Sequence, residues 1–147
     1  MGIFAGIEDA VNKQKDRVAF IEPGNYKLKI LMLKEFMNPN KLPRFKAEFE
    51  VVESDNELAH PVGSRCDYMI CFEKHPGTGD ELRAFMEAVF RAKLGGDYKD
   101  SLVTQENCID LVDEDKNPAA GLELICKAYP YETKNGAKIT KQMFQAA

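Results

Sequence analysis

The chain has 147 residues, an apolar fraction of 44%, a charged fraction of 30% and a formal net charge of −4. That length suits a single domain, and the balance of apolar to charged residues is that of a folded globular protein rather than a disordered one. No apolar run approaches the ~18 residues of a membrane span, the longest being Tyr68-Met69-Ile70-Cys71-Phe72, and the acidic balance excludes a uniformly basic nucleic-acid binder.

The N-terminus carries no basic leader and no signal-type apolar stretch, and Gly6 stands where a myristoylation motif needs Ser or Thr. These features predict a cytoplasmic protein. Ile3, Phe4, Ile7, Ala10 and Val11 then fall on one helical stripe over residues 3–14. The expectation is an N-terminal helical extension over residues 1–16, packed on its own domain or docked on a second subunit, which leaves a homodimer open.

Glu22-Pro23-Gly24-Asn25 predicts a turn. From Tyr26 to Phe36 the chain alternates, with Tyr26, Leu28, Ile30 and Met32 on one face and Lys27 and Lys29 starting the other, as in a long first strand. Asn38 to Pro43 is a loop, because its two prolines favour extended or turned backbone. Phe45, Ala47, Phe49 and Val51 alternate with Lys46, Glu48 and Glu50 in a second strand. A third runs near Arg65 to Phe72, with Cys66, Tyr68, Ile70 and Phe72 sharing a face.

Thr78 and Glu81 have the spacing of a capping box, ahead of Leu82, Phe85, Met86, Val89 and Phe90 at helical spacing and Gly95 as the stop. Thr104 is placed to cap a short helix through Leu111-Val112. Asp113-Glu114-Asp115 reads as a solvated acidic knuckle, without the ligand alternation of a calcium loop. Leu122, Leu124, Cys126 and Ala128 alternate with Glu123, Ile125, Lys127 and Tyr129 in a fourth strand extended by Pro130-Tyr131. Asn135-Gly136 signals a tight hairpin into a fifth strand over residues 137–144.

The reactive side chains form no recognisable centre. Cys66, Cys71, Cys108 and Cys126 contain no CxxC pair, and His60 and His75 add no zinc spacing, so reduced and mostly buried thiols without a metal are expected. There is no Walker loop, GxGxxG, HExxH or GxSxG. Neither histidine stands near a nucleophile at a suggestive spacing. No enzymatic activity and no cofactor are expected.

Three strands, a helix and two strands is the order of an OB fold, a five-stranded partly open barrel that binds through its second and third strands and through two hairpin loops. The predicted class is therefore mainly β (α+β), a five-stranded OB-like barrel with a capping helix between strands three and four. Charge is segregated in a compatible way. Residues 13–46 carry a net of +6 and residues 127–141 a net of +3, which leaves −13 for the remainder. Binding of single strands needs cations along the phosphates and flat side chains against the bases. The candidates are Lys27, Lys29, Phe36, Lys41, Arg44, Lys46 and Arg65 in the first half, and Lys127, Tyr129, Tyr131, Lys134, Lys138 and Lys141 in the second. Phe144 is a weaker stacking candidate. The same tyrosines could equally cover a strand face or a subunit contact.

The chain resembles small phage-encoded single-stranded DNA-binding proteins with OB folds. The resemblance rests on Pro23-Gly24-Asn25-Tyr26-Lys27-Leu28-Lys29-Ile30, Phe45-Lys46-Ala47-Glu48-Phe49-Glu50-Val51-Val52-Glu53, Pro61-Val62-Gly63-Ser64, Asn117-Pro118-Ala119-Ala120-Gly121 and Thr133-Lys134-Asn135-Gly136-Ala137-Lys138-Ile139-Thr140. It implies an OB fold, sequence-tolerant binding of single-stranded DNA, and a place beside replication or recombination proteins of a phage in the host cytoplasm. Many such proteins end in an acidic tail that recruits partners. This chain ends Lys141-Gln142-Met143-Phe144-Gln145-Ala146-Ala147 without an acid, which puts that route of recruitment in doubt. The competing expectation is a non-enzymatic accessory protein that acts through protein–protein contacts.

Overall fold

The computed structural model describes residues 19–72 and 78–147. The expected N-terminal helix and the Thr78 side chain of the expected capping box fall outside the described residues. The elements in chain order are β1 (Ala19–Phe20), β2 (Gly24–Met37), β3 (Pro43–Ser54), β4 (Arg65–Cys71), α1 (Thr78–Leu94), α2 (Gln105–Leu111), β5 (Glu123–Glu132) and β6 (Lys138–Ala146). Two single-turn 3₁₀ segments, Gly95–Asp97 and Asp100–Leu102, link the helices. No described helix is long and apolar enough to cross a membrane.

The strands form one sheet in the order β1-β4-β3-β2-β5-β6. Every pairing is antiparallel except that of β1, which adds two residues parallel to β4. The sheet does not close through a β4–β6 ladder, so the protein is mainly β with an open sheet. Period-two alternation explains most of the facing. Phe45, Ala47, Phe49 and Val51 of β3 are buried, as are Leu124, Cys126 and Ala128 of β5 and Cys66, Tyr68 and Ile70 of β4. Phe72 lies just past the end of β4 and packs partly buried against the core.

β2 departs from its expected facing at one point. The register with β3 shifts between Ile30 and Met32, which marks a bulge that moves the side chains beyond it by one. Leu33 therefore takes the core position expected of Met32, and Leu31 is turned out. The bulge is held from the connection that follows α2. Asn117 Nδ2 donates to the Leu31 carbonyl at 2.9 Å, while Gly121 N donates to Ile30 O and Ile30 N to Leu122 O, each at 2.8 Å.

Both helices form where the spacing predicts. In α2, Thr104 Oγ1 accepts from Asn107 N at 3.2 Å, a side-chain N-cap. α1 buries Phe85, Met86, Ala88, Val89 and Phe90, each large side chain contributing ~1.5–3 kcal/mol before entropy is subtracted. Phe85 is the hub of an aromatic cluster. Its ring centroid lies 5.5 Å from Phe45, 5.4 Å from Tyr68 and 4.9 Å from Phe144. Phe144 also approaches Tyr68 to 4.7 Å. Packing under α1 thus draws β6 and β4 together where no backbone ladder joins them.

The entry to β2 is fixed by polar contacts. Glu22 N donates to Nε2 of the buried His60 at 2.8 Å, and Tyr26 Oη donates to the Glu22 carbonyl at 2.8 Å. The four cysteines are free thiols, and burial pushes the Cys66 and Cys126 thiols up to about 12.

Candidate nucleic-acid interface

Two regions of the outer sheet face hold most of the cationic candidates, and they differ in how their charge is balanced. On β2, β3 and β4 the outward positions include Lys29, Lys34, Lys46 and Arg65 together with Glu48, Glu50 and Asp67. Arg65 Nη2 lies 2.8 Å from Glu48 Oε1, Lys46 Nζ lies 3.0 Å from Asp67 Oδ2 and 3.3 Å from Glu48, and Lys34 Nζ lies 3.6 Å from Glu48. Lys29 pairs with Glu50 at 2.8 Å. Glu48 and Asp67 are almost completely covered. Burial raises the pKa of Asp67 against the lowering effect of Lys46. The Lys46 ammonium is held above its ordinary value: burial opposes this, but the bonds to Asp67 and Glu48 outweigh it.

The expected site residues Lys29, Lys46 and Arg65 are therefore already committed to carboxylates. The sequence reading missed those carboxylates, and it missed Lys34. The alternation of Lys46 and Glu48 on one strand face was the available signal, since side chains two apart share a face.

The second region is the outer face of the β5–β6 hairpin. Lys127, Tyr129 and Tyr131 stand opposite the buried Leu124, Cys126 and Ala128. The register places Lys127 beside Met143, Tyr129 beside Lys141, and Tyr131 beside Ile139. Lys141 Nζ lies 3.7 Å from the centroid of the Tyr131 ring, a cation–π contact. Lys134 sits in the turn, where Gly136 takes a φ of +79° that suits glycine. Lys138 opens β6. Among the described residues, none of Lys127, Lys134, Lys138 and Lys141 makes an ion pair with a carboxylate. Ile125, Ile139 and Met143 lie exposed on the same face.

The remaining candidates sit elsewhere. Lys27 is outward on β2, level with Ile125 of β5. Phe36 is outward and level with Arg44 near the end of the β2–β3 hairpin. Lys41 occupies that hairpin's tip with a φ of +60°, and the Asn38 carboxamide accepts from the Asn40 and Leu42 amides to hold the turn. β2 pairs with β5 only from Gly24 to Lys29 and then runs on to Met37, while β5 continues past Ala128 in the other direction. The two hairpin loops thus stand at opposite ends of the ladder, and Lys41 and Arg44 do not form one cluster with Lys134 and Lys138. Phe144 is part of the aromatic core, stacked on Phe49 at 5.8 Å, and is no stacking candidate. No protein-family model matches the chain, and no curated protein matches it significantly.

Proposed function

We propose that this protein binds single-stranded DNA in a sequence-tolerant way, with the outer face of the β5–β6 hairpin as its principal contact. One observation carries this reading. The hairpin face puts two tyrosines between Lys127 and Lys141, which no carboxylate pairs among the described residues, whereas the more cationic β2–β4 face is internally balanced. Bases stack on such rings at ~1–3 kcal/mol each, and the lysines follow the phosphates. The overall negative charge does not oppose this, since local potential governs approach to a local patch.

The strand order supports an OB-like barrel as the frame. β4-β3-β2-β5-β6, with a helix between β4 and β5, is the order of such a barrel opened between its third and fifth strands. The role beside phage replication or recombination proteins implied by the resemblance belongs to the same proposal.

The test is a fluorescence titration with oligo-dT at low and moderate salt. Each phosphate engaged on a single strand adds ~0.7 to the slope of log affinity against log salt, so Lys127, Lys134 and Lys141 give a slope of no more than about 2. Tyr131→Ala should weaken binding by ~1–3 kcal/mol without changing the slope, while Lys141→Ala should lower the slope by ~0.7. Duplex of equal length should compete poorly, because its bases are hidden in the stack. Absence of binding at low salt would refute the proposal. It would favour a protein-contact role for the same face, whose exposed Ile125, Ile139 and Met143 suit an apolar partner.

A further inference from the structure

The outer face of β2–β4 is charged in a pattern that a purely structural ion-pair network would avoid. Residues directly opposite each other across an antiparallel ladder are the closest side-chain neighbours, and like charges there are destabilising. Yet Lys34 stands opposite Lys46, and Glu48 stands opposite Asp67. One level further along, Lys29, Glu50 and Arg65 follow the favourable alternation. The two like-charged pairs persist because each is neutralised along the strand: Glu48 reaches Lys34 and Lys46, and Asp67 reaches Lys46. The result is a row of cations with a row of carboxylates folded against it. The second carboxylate oxygen of Asp67, Oδ1, is buried without a hydrogen-bond partner, and Arg65 Nε stands 3.9 Å away from it. Asp67 is thus satisfied on one side only.

We propose that Glu48 and Asp67 occupy, from within the chain, the positions that phosphodiester oxygens would take on Lys34, Lys46 and Arg65, so that the β2–β4 face is a second, self-occluded track for single-stranded DNA. This inference rests on the single-stranded DNA reading given above and deepens it. A bound strand engages the hairpin lysines first, and it gains the second track only by displacing carboxylates that already hold those cations. Phe36, exposed one level beyond Lys34 and Lys46, supplies a ring beside that track. The occlusion keeps basal affinity low on a face whose cations would otherwise bind any polyanion.

The experiment measures oligo-dT affinity against salt for wild type, Glu48→Gln, Arg65→Ala and the double variant, with a thermal melt of each. In wild type, Arg65 is engaged by Glu48, so Arg65→Ala should leave the salt slope unchanged. In Glu48→Gln the freed cations should tighten binding at low salt and steepen the slope by ~0.7 for each phosphate gained. Adding Arg65→Ala to Glu48→Gln should then remove one such increment. If Glu48→Gln folds and binds with the wild-type slope, the proposal is overturned. If Glu48→Gln fails to fold, the single variants Arg65→Ala and Lys34→Ala decide: an unchanged slope supports occlusion, and a slope lowered by either shows the face already in use and overturns it. Failure of wild type to bind oligo-dT at low salt would instead remove the hairpin reading, and with it this one, unless Glu48→Gln binds. That last result would leave the occluded track as the primary site.

Discussion

Phe144→Ala tests the way the open sheet is held together. Phe144 lies on the last strand, yet its ring meets Tyr68 of β4 at 4.7 Å, Phe85 of α1 at 4.9 Å and Phe49 of β3 at 5.8 Å. Among the described residues no backbone hydrogen bonds link β6 to β4, so this ring is a principal tie between the two sides. Truncating a fully buried Phe to Ala costs ~3–5 kcal/mol. Phe144 is only partly buried, which places it at the lower end, but each aromatic pair adds ~0.5–1.5 kcal/mol beyond area. We therefore expect a loss of ~3 kcal/mol in urea unfolding, with an unchanged m-value. At ~2–4 °C per kcal/mol for a chain of this size, the melting temperature should fall by ~6–12 °C. The folded variant should keep the wild-type salt slope for oligo-dT. A loss below ~1 kcal/mol would refute the reasoning, because β6 would then be held by its ladder with β5 alone.

Two further perturbations act at the entry to β2. His60 is buried with Nε2 accepting from Glu22 N, and burial lowers its pKa below the ordinary 6.5 despite the Glu22 carboxylate and the Phe20 carbonyl, which favour its proton. The unfolded chain therefore takes up this proton first. His60 should contribute stability that is present above pH 6.5 and is lost as pH falls below it. Urea midpoints measured across that window should decline for wild type, and His60→Gln should lose that part of the dependence; equal profiles would sink the assignment. Gly24→Ala should destabilise by ~1–3 kcal/mol. The added Cβ would stand 2.6 Å from Tyr26 Oη and 2.9 Å from Asp55 Oδ1 at a φ of +153°. Both neighbours are fixed, Tyr26 by the Glu22 carbonyl and Asp55 by the Asn25 amide and side chain. A wild-type urea midpoint for this variant would show that the turn can yield.

Periodicity made most of the fold legible, because a half-buried antiparallel strand must alternate and an amphipathic helix must repeat near every third or fourth residue. β3, β5 and α1 follow that rule nearly residue for residue. Where the reading failed, the cause was tertiary. The facing of β2 changes at Leu31 because Asn117, far along the chain, takes up the Leu31 carbonyl, and local alternation carries no sign of such a distant donor. β1 escaped notice because two residues are too short for any period, and they pair only because β4 offers a free edge. The position of Phe144 was missed for a related reason. An apolar residue on an alternating strand is stacking surface or core according to which sheet face closes, and closure depends on α1.

The candidate interface shows the same division. Which residues are cationic, and that Lys127, Tyr129 and Tyr131 share a face, followed from composition and period two. Which cations are available did not, because availability depends on cross-strand register and register is a property of two strands. Lys46 and Lys141 are alike in sequence terms, each a lysine on an alternating strand. Lys46 lies 3.0 Å from a buried carboxylate on the neighbouring strand, whereas Lys141 lies over a tyrosine ring. A phosphate approaching Lys141 meets a cation whose competing partner is worth ~0.5–1 kcal/mol at an exposed site. One approaching Lys46 must displace two carboxylates and leave them buried beside an incoming anion, at a cost that rises steeply with burial. In the proposed reading the hairpin face therefore engages a strand first, and a total of positive charges, however distributed along the sequence, could not have distinguished the two.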